Sequence, residues 1–409
     1  MYRRAGVLLL IVLVAVVLRD IAVRRLPLDF DEPVYMTAAF VYAEAIRAGN
    51  LALLADDPSS EHPGLVKLVD AAVLLRFPPP PADLPDEELS AAELEAFAAD
   101  PANRAWLEQE GLMFLGTRRV SALFGVLHVL LLALVSPVAG ALLAVHSYTV
   151  KYTSQIYLEA VPMFMASVCV LAYVWAGKSS RKEREGGKER QEESAWRSLP
   201  SWRPLREPLF WIISAVALGL TAAGKYIYAV AGLAIMADTL WRAAETRRPR
   251  AALVLLPWGA LALLVFFAAN PYLWGDPVGR LLDSLTFHAA YSQGAHVQQS
   301  GYPWYQPFLW LVMPLPATWH PGVIVTPLDP LTAALGVGGL WPAWRAYGGR
   351  GRVIVLWWAI GLVFTLLWST KWPQYSLVMT APMCLCAAET IKSLRQSVQR
   401  QLGRPGQAF

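Results

Sequence analysis

Three carboxylates stand within four residues, at Asp29, Asp31 and Glu32, beside Phe30 and followed by Pro33-Val34-Tyr35. They come a few residues after an apolar run, so they fall at a membrane boundary. Like charges held this close, where each loses part of its water, are costly. A chain that keeps them there has a use for them. Two more acids, Glu61 and Glu159, and five cations, Arg118, Arg119, Lys151, Lys225 and Lys371, recur in the loops or beside the ends of later apolar runs. A carboxylate can take the proton of a hydroxyl. Guanidinium and ammonium groups bind phosphate by charge-assisted hydrogen bonds. Together they describe moving a group from a lipid phosphate to a hydroxyl.

The elements that must position these residues are membrane helices. Of the 409 residues, 56% are hydrophobic and only 16% charged, against roughly 25% charged in soluble domains. The net charge of +4 is small and scattered, which excludes a nucleic-acid partner. Cys169, Cys384 and Cys386 all fall in apolar runs and cannot frame disulfides. The 17 Trp and 15 Tyr cluster near the ends of apolar blocks, as interface belts do.

The apolar run Ala5 to Leu18 reads as an uncleaved first helix, since Arg24-Arg25-Leu26-Pro27 follows it in place of a small-x-small cleavage site. Residues 24–111 read as a first external loop with amphipathic juxtamembrane helices. One spans Pro33 to Arg47; a second, Leu65 to Phe77, carries Lys67 and Asp70 and is placed along the membrane surface. Asp86 to Glu110 is acidic and helix-forming. Further spans are expected at 112–135, 138–150, 160–176, 209–224, 226–240, 251–269, 331–344, 353–368 and 376–388. The stretch 177–207 is a basic cytoplasmic loop, and 270–328 an external loop whose proline-rich piece 307–316 is re-entrant or interfacial. The expectation is an all-α polytopic membrane protein of one domain, 1–409, with about ten transmembrane helices.

Placing Arg3-Arg4, the 178–206 and 242–250 loops, Arg345 to Arg352 and the basic tail in the cytoplasm obeys the positive-inside rule. The residues with chemistry then share the opposite face. The reading is a multi-pass protein, most naturally of the cell membrane, with an extracytoplasmic site. A transporter or lipid flippase is the alternative, but such proteins set ionisable groups near midplane, and here they gather at span ends.

Asp31-Glu32-Pro33-Val34-Tyr35 resembles the D-E-x-x-Y/H signature in the first external loop of GT-C glycosyltransferases. Glu61-His62-Pro63-Gly64-Leu65-Val66-Lys67 resembles the H-P-P-L-x-K element of the protein O-mannosyltransferase and aminoarabinose-transferase branch, with Gly64 in place of its second proline. Arg118-Arg119-Val120-Ser121-Ala122-Leu123-Phe124-Gly125 is similar to that branch's R-x-x-S-A-L-x-G, and Tyr157-Leu158-Glu159-Ala160 to its Y-x-E-A. Gly224-Lys225-Tyr226, Ser300-Gly301-Tyr302-Pro303-Trp304-Tyr305 and Lys371-Trp372-Pro373-Gln374-Tyr375 resemble its T-K-Y, P-W-Y-Y and K-x-x-x-Y segments. The seven occur in the family's order.

The resemblance implies a GT-C fold and inverting transfer of a sugar, such as mannose from dolichyl phosphate mannose, from a polyprenyl- or dolichyl-phosphate donor. The acceptor would be a hydroxyl on protein, lipid or glycan. It makes Asp31 the general base and gives Glu32 a role in positioning donor and acceptor. Arg118, Arg119, Lys225 and Lys371, with His62 or Lys67, are candidates for the donor phosphate. Tyr35, Glu61, Glu159, Tyr302, Trp304, Tyr305 and Tyr375 are candidates for the substrates. Plainer roles stay open. Asp31 could cap a helix; Glu32 or Glu61 could pair with Arg118 or Arg119. Lys225 and Lys371 could be interface anchors, and Tyr302, Trp304 and Tyr305 belt residues. No cofactor is implied. The spacing of His288, His296 and His320 matches no helical zinc motif, so a divalent metal is not expected.

Overall fold

A computed structural model describes residues 2–81, 91–185, 203–316, 328–346 and 350–402. The described residues are helical, with no strand among them. In chain order the helices are α1 (Tyr2–Arg25), α2 (Glu32–Arg47), α3 (Leu65–Leu74), α4 (Ala91–Phe97), α5 (Pro101–Val135), α6 (Pro137–Val145), α7 (Ser147–Tyr152), α8 (Ala160–Glu185) and α9 (Arg203–Gly224). They continue with α10 (Val230–Glu245), α11 (Leu255–Ala268), α12 (Pro277–Tyr291), α13 (Ala295–Ser300), α14 (Gln306–Val312), α15 (Asp329–Gly338), α16 (Leu340–Arg345), α17 (Arg352–Leu367) and α18 (Thr380–Leu402).

Among the described residues, six helices are long and apolar enough to cross a membrane: Arg4–Arg25, Pro101–Val135, Glu207–Gly224, Tyr226–Glu245, Pro249–Ala268 and Pro373–Gln401. Ala160–Ala176 and Arg352–Leu367 are shorter apolar helices. Their outer faces carry bare aliphatic side chains: on α1, Leu9, Leu10, Leu13, Val16 and Val17 are exposed while Ala15, Arg19 and Ala22 are buried. That is the pattern of a helix facing lipid on one side and small-residue packing on the other. Two of the expected spans are broken. The 138–150 stretch splits into α6 and α7 at His146, which turns extended and caps α7 by accepting from the Thr149 backbone N–H at 3.3 Å. The 331–344 stretch splits into α15 and α16 at Gly339.

Other boundaries differ for local reasons. Asp100 caps α5 by accepting from the Ala102 and Asn103 N–H groups at 2.7 and 3.4 Å, so the acidic stretch runs on into the same helix as the 112–135 span. Its N-terminal part, 86–90, falls in 82–90, which lies outside the described residues. Helix α8 continues to Glu185 into the expected basic loop, of which 186–202 lie outside the described residues. The 270–316 stretch is not an open loop but holds α12, α13 and α14. Helix α3, expected along the membrane surface because it carries Lys67 and Asp70, buries both of them.

α1 packs on α5 and α6, α8 on α9, α9 on α11, α10 on α17, and α15 on α18. Gly125 is needed where α1 crosses α5: a Cβ there would sit 2.6 Å from both Arg19 Nε and Thr153 Oγ1. One end of the bundle is tied by buried Asp238, which accepts from Arg242 Nε and Arg352 Nε, each at 2.7 Å, and from Tyr173 OH at 2.5 Å. The other end carries the α1–α2 loop, the α7–α8 turn, the residues after α9 and the turn after α17. The acids converge there.

Candidate active site

Helix α2 begins at Glu32 with Pro33 in its first turn, where proline's missing N–H costs nothing. Glu32 itself is fully buried. Its carboxylate accepts from Arg118 Nε at 2.7 Å and Nη2 at 2.5 Å, from the Ile156 backbone N–H at 2.8 Å and from the Asp29 N–H at 2.9 Å. Arg118 sends its remaining donors to the carbonyls of Val23 (3.1 Å), Leu26 (2.9 Å) and Pro27 (3.0 Å). A guanidinium has five N–H donors, and these bonds occupy them. The Glu32–Arg118 pair thus ties the end of α1, the start of α2, the middle of α5 and the α7–α8 turn into one knot.

Asp29 accepts from Lys151 Nζ at 2.7 Å and from the Tyr157 hydroxyl. Burial pushes its carboxyl up, but the Lys151 charge and the two hydrogen bonds carry it below the usual carboxylate range. The Lys151 ammonium also faces the rings of Tyr152 and Tyr157, 4.4 and 5.2 Å from their centroids. Glu159, fully buried just before α8, accepts from Lys225 Nζ. Lys225 lies 5.4 Å from the centre of the Tyr375 ring.

Asp31 is different. It occupies the N-cap position of α2, yet its side chain makes no capping bond. It is half-buried and, among the described residues, accepts no side-chain hydrogen bond. Burial raises its carboxyl, the charges of Lys225 and Lys151 and of His296 draw it down, and Asp29 pushes it up; the net direction is upward. A half-desolvated carboxylate without a partner is a base kept available.

Aromatic rings wall this cluster. Tyr35 meets His62 edge-on at 5.8 Å and Tyr157 at 6.2 Å, and His62 lies 5.3 Å from His288. His288 Nε2 is 3.0 Å from the Glu61 carbonyl, which also accepts from Ser284 Oγ at 2.7 Å. Only a protonated Nε2 can donate to a carbonyl, which sets the tautomer. Burial lowers both His62 and His288, so both rings are neutral at neutral pH. The Glu61 side chain is half-buried and pushed up by burial. On the far side, His296 packs on Trp372 at 5.3 Å, and Tyr302 packs on Trp372 and Trp310 at 5.7 and 5.5 Å. Trp304 and Tyr305 point outward, 68% and 45% exposed.

The expected phosphate cations divide sharply. Lys67 is buried and donates to Asp57 Oδ2 (2.6 Å), the Ser59 carbonyl (2.6 Å) and the His62 carbonyl (2.9 Å), folding the loop before α3. Lys371 donates to the carbonyls of Thr365 (2.9 Å), Leu366 (2.8 Å) and Trp368, at the C-terminus of α17. A helix end leaves those carbonyls without partners and favours a cation. Arg119 is exposed on α5. Lys225 remains beside Asp31. Lys371→Met is therefore expected to lower stability by about 1–2 kcal/mol, the upper range for such a cap, with affinity for a lipid phosphate unchanged. A thermal melt set beside a lipid-binding titration reads both, and a lost affinity at unchanged stability would return Lys371 to the phosphate.

Asp31, Glu32, Tyr35, His62 and Lys225, all expected at one site, lie together in the structure. Sequence reasoning did not place His288 against Trp368 or His296 against Trp372, because the partners lie about 80 positions apart and the histidines of the 270–306 stretch carried no spacing signal. His320 lies outside the described residues. The groups of acids, histidines and cysteines among the described residues form no cluster that could hold a metal ion.

The chain is similar to the apo crystal structure of the oligosaccharyltransferase of Archaeoglobus fulgidus, with a TM-score of 0.53 at 12% sequence identity. The likeness covers 100% of this chain and 53% of that one, so the chain spans about half the length of the protein it matches. No protein-family model and no curated protein matches the chain. At this identity the likeness speaks for the fold alone: the helices are arranged as in that structure.

Proposed function

We propose that the chain is an inverting glycosyltransferase. It moves a sugar from a polyprenyl- or dolichyl-phosphate donor to an acceptor hydroxyl on the non-cytoplasmic side of the membrane. One observation carries the reading. Asp29, Glu32 and Glu159 each hold a cation, whereas Asp31 between them is unpaired among the described residues and lies near Lys225 and Lys151. The GT-C arrangement of the oligosaccharyltransferase neighbour supports it. So do the resemblance of its motifs to those of the O-mannosyltransferase and aminoarabinose-transferase branch, and the orientation expected from its basic loops.

Asp31 takes the proton of the acceptor hydroxyl as its oxygen attacks the anomeric carbon. The bond from that carbon to the phosphate oxygen breaks on the opposite face, which inverts the configuration. The departing lipid phosphate keeps the bonding electrons and needs no proton. A fixed cation at that developing charge is worth several kcal/mol, and Lys225 is placed to supply it. Tyr35, Tyr375, Tyr302 and the histidine pair shape the pocket, while Glu32 and Arg118 hold Asp31 in place without touching the reacting atoms.

The test is a panel of polyprenyl-phosphate sugars, mannose included, given to the purified protein in nanodiscs with peptide, lipid and glycan hydroxyls. Free polyprenyl phosphate should appear only when donor and acceptor are both present, and the product should have the inverted anomeric configuration. Lipid-linked sugar that crosses sealed vesicles without release of lipid phosphate would favour a transporter instead.

A further inference from the structure

Lys225, the cation assigned to the donor phosphate, is already engaged. Its partner Glu159 is fully buried, and only one of the Glu159 oxygens is hydrogen-bonded; Oε2 has no partner among the described residues. A buried carboxylate with a single donor is poorly compensated, and it stays ionised only while that cation faces it.

The charges around it are few. Lys225 comes from the turn after α9, Lys151 from α7 and Asp31 from the α1–α2 loop. Among the described residues the other titratable groups facing Glu159 are the phenols of Tyr35, Tyr152, Tyr228 and Tyr375, and a phenol carries no charge at neutral pH. Asp29, Asp31 and Glu159 against Lys151 and Lys225 make three negative charges and two positive, a net of −1. A singly charged phosphodiester would bring the pocket to −2 and would share the one ammonium that keeps Glu159 ionised. Asp29 has two donors to hold its charge, and Asp31 has to stay ionised to act as base. Glu159 is the acid left to yield.

We propose that Glu159 takes up a proton from solvent when the donor's phosphate settles on Lys225, so that donor binding and proton uptake are one event. The inference rests on the glycosyltransferase reading and adds a gate to it. The phosphate replaces Glu159 on the ammonium, and the neutral acid is released from its pair; the proton leaves when the lipid phosphate does. The direction of the carboxyl agrees: burial raises Glu159, and what opposes that rise is chiefly the Lys225 charge and hydrogen bond, which the phosphate would neutralise.

The probe is the methyl ester of undecaprenyl phosphate, a phosphodiester that carries one charge across neutral pH and needs no choice of sugar. It is titrated into the full chain in nanodiscs by calorimetry, in two buffers of different ionisation heat. About one proton should be taken up per lipid bound, and the Kd should rise about tenfold per pH unit on the alkaline side. Glu159→Gln should bind with little uptake and a flat pH dependence, while Asp31→Asn should keep the uptake. Wild-type binding without uptake would overturn the gate and leave the transferase reading standing. Uptake that survives in Glu159→Gln and vanishes in Asp31→Asn would assign the proton to the base and overturn the gate as well. No binding at any pH would overturn both readings. The two-buffer measurement on the wild type decides the matter even where the variant does not fold.

Discussion

Asp31→Asn is expected to lower the rate of sugar transfer by about 10²–10⁴-fold, the usual contribution of a positioned general base, which is about 3–5 kcal/mol of barrier. The amide keeps the size of the side chain and has no capping bond to lose, since the native carboxylate makes none. Fold and donor binding should therefore survive, with the loss falling on kcat. The pH profile offers an independent reading. A base works when ionised, and burial moves Asp31 above the usual carboxylate range. The wild-type rate should climb with pH through that raised value, and the climb should be absent from the residual activity of the variant. Release of polyprenyl phosphate at saturating donor and acceptor measures it. Transfer left intact in Asp31→Asn would remove the carboxylate from the chemistry.

The second large effect is on stability. Arg118→Met strips Glu32 of two of its hydrogen bonds and takes the Arg118 donors from the Val23 and Leu26 carbonyls, while Pro27 keeps the Gln155 amide. Removing one member of a buried pair costs about 3–5 kcal/mol, because the other charge is stranded. The unfolding midpoint in detergent should fall far, whereas Arg119→Met, one residue away and exposed, should leave it in place. Should Arg118→Met melt like the wild type and lose only donor affinity, Arg118 would be a phosphate ligand and the knot a misreading.

The contrast between these two residues shows what a sequence discloses. The D-E pair at a membrane boundary marked the loop, because crowded carboxylates are unusual wherever they occur. Their division of labour was hidden. Glu32 and Arg118 are 86 positions apart, and Lys151 is 122 from Asp29, so nothing local tells a fastened cation from a free one. Lys371 is the sharper case. It looked like a phosphate ligand at a span end, and its donors go to carbonyls of the helix it follows. The helices themselves were easier, since apolar length is visible directly. Where the backbone breaks inside an apolar run, at His146, average hydropathy passes straight over the change of direction, and one expected span became two short helices.

The 35 residues of α5 rise about 52 Å at 1.5 Å each, against about 30 Å of bilayer hydrocarbon. Its first turns stand up beside α2, where Trp106 is buried against Phe40, and Arg118 ties the loop to it lower down. From the other direction, Lys151 on α7 and Tyr157 in the turn before α8 hold the same loop through Asp29. A loop fastened on both sides leaves the base little room to wander, and that is how a carboxylate with no capping bond of its own keeps its station.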